Sequence, residues 1–161
     1  AMSRKFLRSL TPLLISADFP LRNSILDVLD ALAANDLSLL ALAKILRELN
    51  ATCEMEMGGL DYEKVFLAYD KVDVKFFYTM HEEHVLPILA VCIHDMTSEE
   101  LILRQSASRL LASFIKFLGE ILPGAQTLDN QWSKDRIDRT IRNFFFKNMG
   151  KAMKKEGAAK K

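Results

Sequence analysis

Apolar residues recur at steps of three and four along nearly the whole of this 161-residue chain. That spacing lays one apolar stripe along an α-helix and would scramble the two faces of a strand. The spacing predicts helices from about Arg4 to Ile15, Leu21 to Ala34, Leu37 to Leu49, Tyr62 to Val74, Glu82 to Met96, Ser98 to Leu122 and Lys134 to Met153. No stretch alternates with period two for long enough to make a strand, so the expected class is all-α. Punctuation supports these limits. Thr79-x-x-Glu82 and Thr97-x-x-Glu100 have the form of capping boxes ahead of apolar runs. Asp18 with Pro20 suits the start of the second helix and Ser133 that of the last. "ATCEMEMGGLD" and "PGAQTLDNQ" read as loops.

Arg104 sits where such a chain should be apolar. At 100° per residue from Leu103, the residues Ala107, Leu110, Leu111, Phe114, Ile115, Leu118 and Ile121 share one sector, and Arg104 falls inside it at about 100°. From Leu21, the residues Ile25, Val28, Leu29, Leu32 and Ala33 fill the same sector, with Arg22 in the place of Arg104. The two arginines stand 82 residues apart, twice 41. A period near 40 with two helices per unit is that of helical solenoids, whose units cover their apolar faces by stacking. The middle unit, Leu37–Leu49 with Tyr62–Val74, keeps Tyr62, Phe66 and Tyr69 but has Glu63 at the arginine position. It is expected to lie between the two matching units.

Leu103-Arg104-x-x-Ala107-x-x-x-Leu111, after a helix ending in Asp95, resembles the second helix of a HEAT repeat. Asp18, Leu21, Arg22 and Leu29 give a second copy, with Ile25 replacing the alanine, and Pro87 sits where first helices of that family often bend. Eight residues separate Asp95 from Arg104, more than the usual turn holds. The resemblance implies structural roles for Asp18, Arg22, Asp95 and Arg104. In it, Arg104 would run its stem along the apolar interface to reach helix-end carbonyls or an aspartate. The alternative is that Arg104 extends to solvent from the sector's edge. An Arg104→Ala change is expected to cost more than Arg109→Ala.

"HDMTSEELILRQSASRLLASFIKF" and "FFFKNMGKAMKKEGAAKK" are similar to segments of the U3 small nucleolar RNA-associated protein 20 family, also called down-regulated-in-metastasis. Those are very large HEAT-repeat proteins of the nucleolar small-subunit processome. The resemblance implies a scaffold segment in pre-ribosomal RNA processing and small-subunit biogenesis, located in the nucleolus. Its implied partners are proteins of a large assembly and pre-ribosomal or small nucleolar RNA. Ala1-Met2 looks like an expression leftover, and "KKEGAAKK" stops without a helix-ending device, as in an excerpt of a longer protein.

Net charge is +1 overall, but it is unevenly placed. Residues 134–161 hold ten lysines and arginines against three acidic residues, a local +7, which leaves −6 for residues 1–133. From Arg136, the residues Lys147, Lys151 and Lys154 fall within about 60° on a helical projection, with Ile141, Phe145, Met149 and Ala152 opposite. A basic stripe of this kind, with Phe144 beside it to stack on an unpaired base, suits RNA. The candidate RNA-binding residues are Arg136, Arg139, Phe144, Lys147, Lys151, Lys154 and Lys155. A solvated face or a localisation signal is the plainer alternative.

Residues 3–122 are thus expected to form HEAT-like repeats, 123–132 a loop, and 133–161 a basic amphipathic helix and tail. Catalytic signatures such as G-x-x-x-x-G-K, G-x-S-x-G and H-E-x-x-H are missing from the sequence, so no enzyme, cofactor or small-molecule substrate is expected. His81 and His84 of "HEEH" lack evident further ligands, so no metal site is expected. Cys53 and Cys92 read as buried free thiols in a reducing compartment. No apolar run approaches the roughly 20 residues of a membrane span, so no membrane is expected. A HEAT-type protein adaptor of the transport-receptor or phosphatase-scaffold kind, cytoplasmic and without RNA contact, is the competing class.

Overall fold

Aspartate side chains set four of the helix starts, those of three α-helices and one 3-10 turn. The structure, a computed structural model, describes residues 2–55, 59–124, 132, 134–148, 150 and 154. Asp18 accepts from the Leu21 amide at the start of α2 (Phe19–Ala33), which follows α1 (Met2–Ser16). Asp36 caps the 3-10 turn Leu37–Leu39 that leads into α3 (Leu40–Leu49), and Asp61 caps α4 (Tyr62–Lys71). Asp73 caps α5 (Val74–Thr79), which ends the expected helix at Lys71 and starts a separate short one. Each carboxylate satisfies an amide that has no partner inside its helix. Then come α6 (Glu82–Asp95), α7 (Leu101–Ile121) and α8 (Lys134–Arg139), the last continuing as a π-helix over Thr140–Phe146. Among the described residues there is no strand, only a single bridge between Thr52 and Leu60.

Neither threonine motif works as a capping box. Thr79 Oγ1 donates to the Phe76 carbonyl and Thr97 Oγ1 to that of His94, each at 2.7 Å. Both hydroxyls therefore close the helix behind them, where the last carbonyls are orphaned, rather than opening the one ahead. Glu100 caps α7 instead, its carboxylate accepting from the Ile102 amide, so the helix begins three residues later than its apolar pattern does.

The molecule is all-α, a fragment of stacked helix pairs in the manner of an α-solenoid. Contacts between Arg47 and both Asp27 and Asp30, and between Asn50 and Asn23, show α2 and α3 antiparallel. The α6/α7 hairpin is closed by Cys92 Sγ on the Ala107 carbonyl at 3.0 Å. Equivalent helices of different pairs run parallel. Arg4 meets Glu83 near the start of α1 and α6, and the Ile15 carbonyl meets His94 near their ends, at one constant offset of 79 residues. Each of these two helices carries an internal proline, Pro12 and Pro87. One detail departs from a simple succession of units. The middle helix α3 packs on α2, α4 and α6, while α1 lies directly against α6. Leu7, Leu10 and Leu14 of α1 and Val85, Ile88 and Leu89 of α6 are all buried, so the two apolar stripes cover each other.

Arg22 and Arg104 occupy matching sequence positions in different surroundings. On α2 the buried residues Ile25, Leu26, Leu29 and Ala33 span about 40° to 140° from Leu21, with Arg22 near the centre at about 100°. On α7 the buried set includes Ser106 and Phe117 and runs from about −60° to +80°, leaving Arg104 at its edge. Arg22 is accordingly buried and donates from Nη2 to Asp95 Oδ1 at 2.9 Å, with Nη1 at 3.5 Å from Asn50 Oδ1. The Tyr69 hydroxyl donates to the other oxygen of Asp95. One ion pair thus joins α2, α4, α6 and the end of α3. Arg104, half-buried, donates from Nη1 to the carbonyls of Ser98 and Glu99 at 2.6 and 3.0 Å, tying down the turn before its own helix. Rotation of α7 relative to α2 explains why the repeat holds in sequence and splits in role.

The stability ranking therefore centres on Arg22, not Arg104. Arg22→Ala or Asp95→Ala leaves an unmatched buried charge and should cost about 3–5 kcal/mol. Arg104→Ala forfeits charge-assisted bonds to carbonyls, about 1.5–3 kcal/mol. Arg109, exposed and 3.7 Å from Asp70, should cost at most about 1 kcal/mol. Urea midpoints of the three alanine variants check this order, and an Arg22→Ala variant as stable as Arg109→Ala would contradict it.

Candidate nucleic-acid interface

The basic C-terminal segment is held on the bundle by a face that a uniform helical projection misplaces. Ile137 and Thr140 are buried, and Ile141 and Phe144 pack partly buried against the core. Ile137 and Thr140 fall at about 100° and 40° from Arg136, so Arg136 lies at the rim of the docked face. Its guanidinium is half-buried, 3.5 Å from Glu82 Oε2 at the start of α6. Thr140 Oγ1 donates to Glu82 Oε1 at the same distance. One carboxylate thus receives both groups. Upstream, Trp132 is buried against the rings of Phe114 and Phe117 and pins the entry to α8.

The other expected RNA-binding residues divide by place. Arg139 and Lys147 are exposed, as are Arg142 between them and Lys154 further on. Arg139 Nε donates to the Asp135 carbonyl at 3.4 Å. Phe144 is half-buried on the wall of a cleft rather than standing beside an exposed stripe, while Phe146 is 64% exposed. Lys151 and Lys155 lie outside the described residues, as do Ser133 and the loop residues 125–131. The π-helix over Thr140–Phe146 closes with wider i→i+5 turns, which shift the register of everything after it. A 100° step from Arg136 therefore loses its meaning beyond about Thr140.

A cleft of about 390 Å³ opens between the first half of α1, the start of α6 and the C-terminal segment. Arg4 and Arg8 line one side, Glu82 and Glu83 the floor, and Arg136, Arg139, Asn143 and Phe144 the other side. Arg4 holds Glu83 at 2.8 Å. Arg4 and Arg8 were not among the residues expected from sequence. No spacing rule links residues 4–8 to residues 136–144, so only the fold reveals them.

Elsewhere the titratable groups serve structure. Burial, with the neighbouring Asp95 charge, pushes the Tyr69 phenol and the Cys92 thiol well above their ordinary values, so both stay protonated. Cys92 is buried and Cys53 half-buried, each as a free thiol. His81 and His84 have ring centroids 5.8 Å apart, and among the described residues no cluster of three ligating side chains surrounds them or any other point.

Two groups at the start of α6 respond to pH with opposite sign. Burial raises Glu82 above its usual 4.5 despite Arg136 nearby, so its contribution is full at low pH and lost as pH rises through its folded value. Burial and the neighbouring His81 lower His84 below 6.5, so its contribution is full above 6.5 and lost as pH falls from there through its folded value. Thermal unfolding across pH 7.5 to 5 should show a decline beginning near 6.5 that His84→Gln flattens. An unchanged slope in that variant would rule out His84 as its source.

The family model described as U3 small nucleolar RNA-associated protein 20, N-terminal, matches residues 1–157. No curated protein and no solved structure matches the chain. The family match spans every helix and the docked basic segment, and with it the chain belongs to the U3 small nucleolar RNA-associated protein 20 family, within that family's N-terminal region.

Proposed function

We propose that this chain is a non-catalytic helical scaffold segment of the nucleolar small-subunit processome, acting in pre-ribosomal RNA processing and small-subunit assembly. Residues 3–122 form the stacked-helix body, and residues 133–161 form the arm that meets RNA. Family membership supports the assembly and the process. The observation that carries the RNA contact is the exposed run Arg139, Arg142, Lys147 and Lys154, on a segment whose Ile137 and Ile141 side is committed to the core. A helix held by its apolar face has its cations facing solvent, where phosphates reach them. Lys151 and Lys155 add to the same basic run in sequence. The non-catalytic reading is supported by what the polar groups are doing: Arg22, Asp95 and Tyr69 bond one another, and Cys92 bonds a backbone carbonyl.

Titration of the 161-residue chain with single-stranded RNA at several salt concentrations tests this. Four or five phosphate contacts should give a slope of about −3 in log affinity against log salt. Replacing Lys147, Lys151, Lys154 and Lys155 together by alanine should flatten it. No RNA binding at low salt, or binding indifferent to those four lysines, would favour the protein-adaptor class instead.

A further inference from the structure

We infer that the cleft between α1 and the C-terminal segment is a composite subsite for a single-stranded RNA nucleotide, in which Arg8 and Arg139 hold a backbone phosphate and Asn143 and Phe144 meet the base. This rests on the RNA reading above and adds to it a second wall, contributed by a helix more than 120 residues away in sequence. Charge decides the size of the ligand. Four arginines line the cleft against two glutamates, and each glutamate is already held by one arginine, Glu83 by Arg4 and Glu82 by Arg136. The surplus is +2, carried by Arg8 and Arg139, neither of which closes an ion pair among the described residues, although the Arg139 charge is felt by Glu82. That suits one or two phosphodiester charges and disfavours a densely charged polyphosphate, whose remaining charge would face Glu82 and Glu83. Guanidinium forks present paired donors to phosphate oxygens, so two arginines on opposite walls suffice to fix one group.

The remaining lining separates RNA from an acidic peptide. Phe144 offers part of a ring face on the wall, and a base stacks on such a face where a glutamate or aspartate side chain does not. Asn143, exposed beside it, has both a donor and an acceptor, as a base edge requires. Carboxylates would use only the donors. Arg139, Arg142 and Lys147 continue out of the cleft along the segment, with the exposed Asp135 and Asp138 beside the two arginines, so cations in excess appear onward only from Arg142 to Lys147.

Arg8→Gln and Arg139→Gln test the subsite on the full chain, with Arg109→Gln, paired with Asp70 on α4, as the control. Both cleft residues are exposed, and circular dichroism with thermal midpoints verifies that folding is retained. Each cleft substitution should reduce the salt slope for a single-stranded RNA dodecamer by about 0.7 and leave the control unchanged. Phe144→Leu should reduce photocrosslinking to the same RNA. Unaltered RNA affinity and slope in Arg8→Gln would overturn the composite subsite while leaving the lysine-dependent contact standing. If the unsubstituted chain bound no RNA, both proposals would fall together. Displacement of RNA by polyglutamate at equal charge, with the same dependence on Arg8, would show an acidic peptide as the occupant and also overturn the subsite.

Discussion

A buried arginine and a buried aspartate hold the centre of this fold. Arg22 and Asp95 exchange a charge-assisted hydrogen bond at 2.9 Å with side chains almost entirely shielded from water. Removing two charges from water is expensive, and their attraction compensates only when further polar groups complete the set. Tyr69 and Asn50 supply them, from α4 and from the end of α3. The consequence is geometric more than energetic. An apolar core tolerates small rotations of its helices, whereas this cluster has few arrangements that leave no carboxylate oxygen stranded. Arg22 Nε finds no acceptor among the described residues, so even here satisfaction is incomplete.

The basic segment is placed by the same logic at smaller scale. Ile137 and Thr140 bury a short face, and Glu82 gathers Arg136 and the Thr140 hydroxyl at the mouth of α6. Glu82 is held in a partly desolvated position where its charge is disfavoured, and the arginine compensates in part. Docking and exposure are thus coupled. The face that packs determines which cations remain outside.

Much of the fold was legible in the sequence because helices announce themselves by period. The apolar stripes of α2, α6 and α7, the cap at Asp18 and the 82-residue match all follow from local spacing. What was not legible depended on rotation and on distance. Spacing places Arg22 and Arg104 alike, yet the sector each helix buries is set by its neighbours, and the two sectors differ by roughly a quarter turn or less. Thr79 and Thr97 fit a capping pattern equally well as the end of one helix or the start of the next. Asp73 broke a helix that its apolar residues alone would have continued. In the candidate interface, the charge asymmetry of residues 134–161 was plain, whereas the π-helical turns changed the stripe. Arg4, Arg8 and Glu82 joined the site through contacts no local rule encodes.

The parallel apposition of α1 and α6 bears on how the chain is made. The two ends of α1 meet α6 at residues 79 positions later, so this cover for its leucine stripe is missing when the stripe leaves the ribosome. At about 5–20 residues per second, roughly 4–16 s pass before Glu82–Asp95 is even synthesised. During that interval the first helix is an adhesive surface with its proper counterpart still unborn, and whatever shields it then is a requirement the finished fold no longer displays.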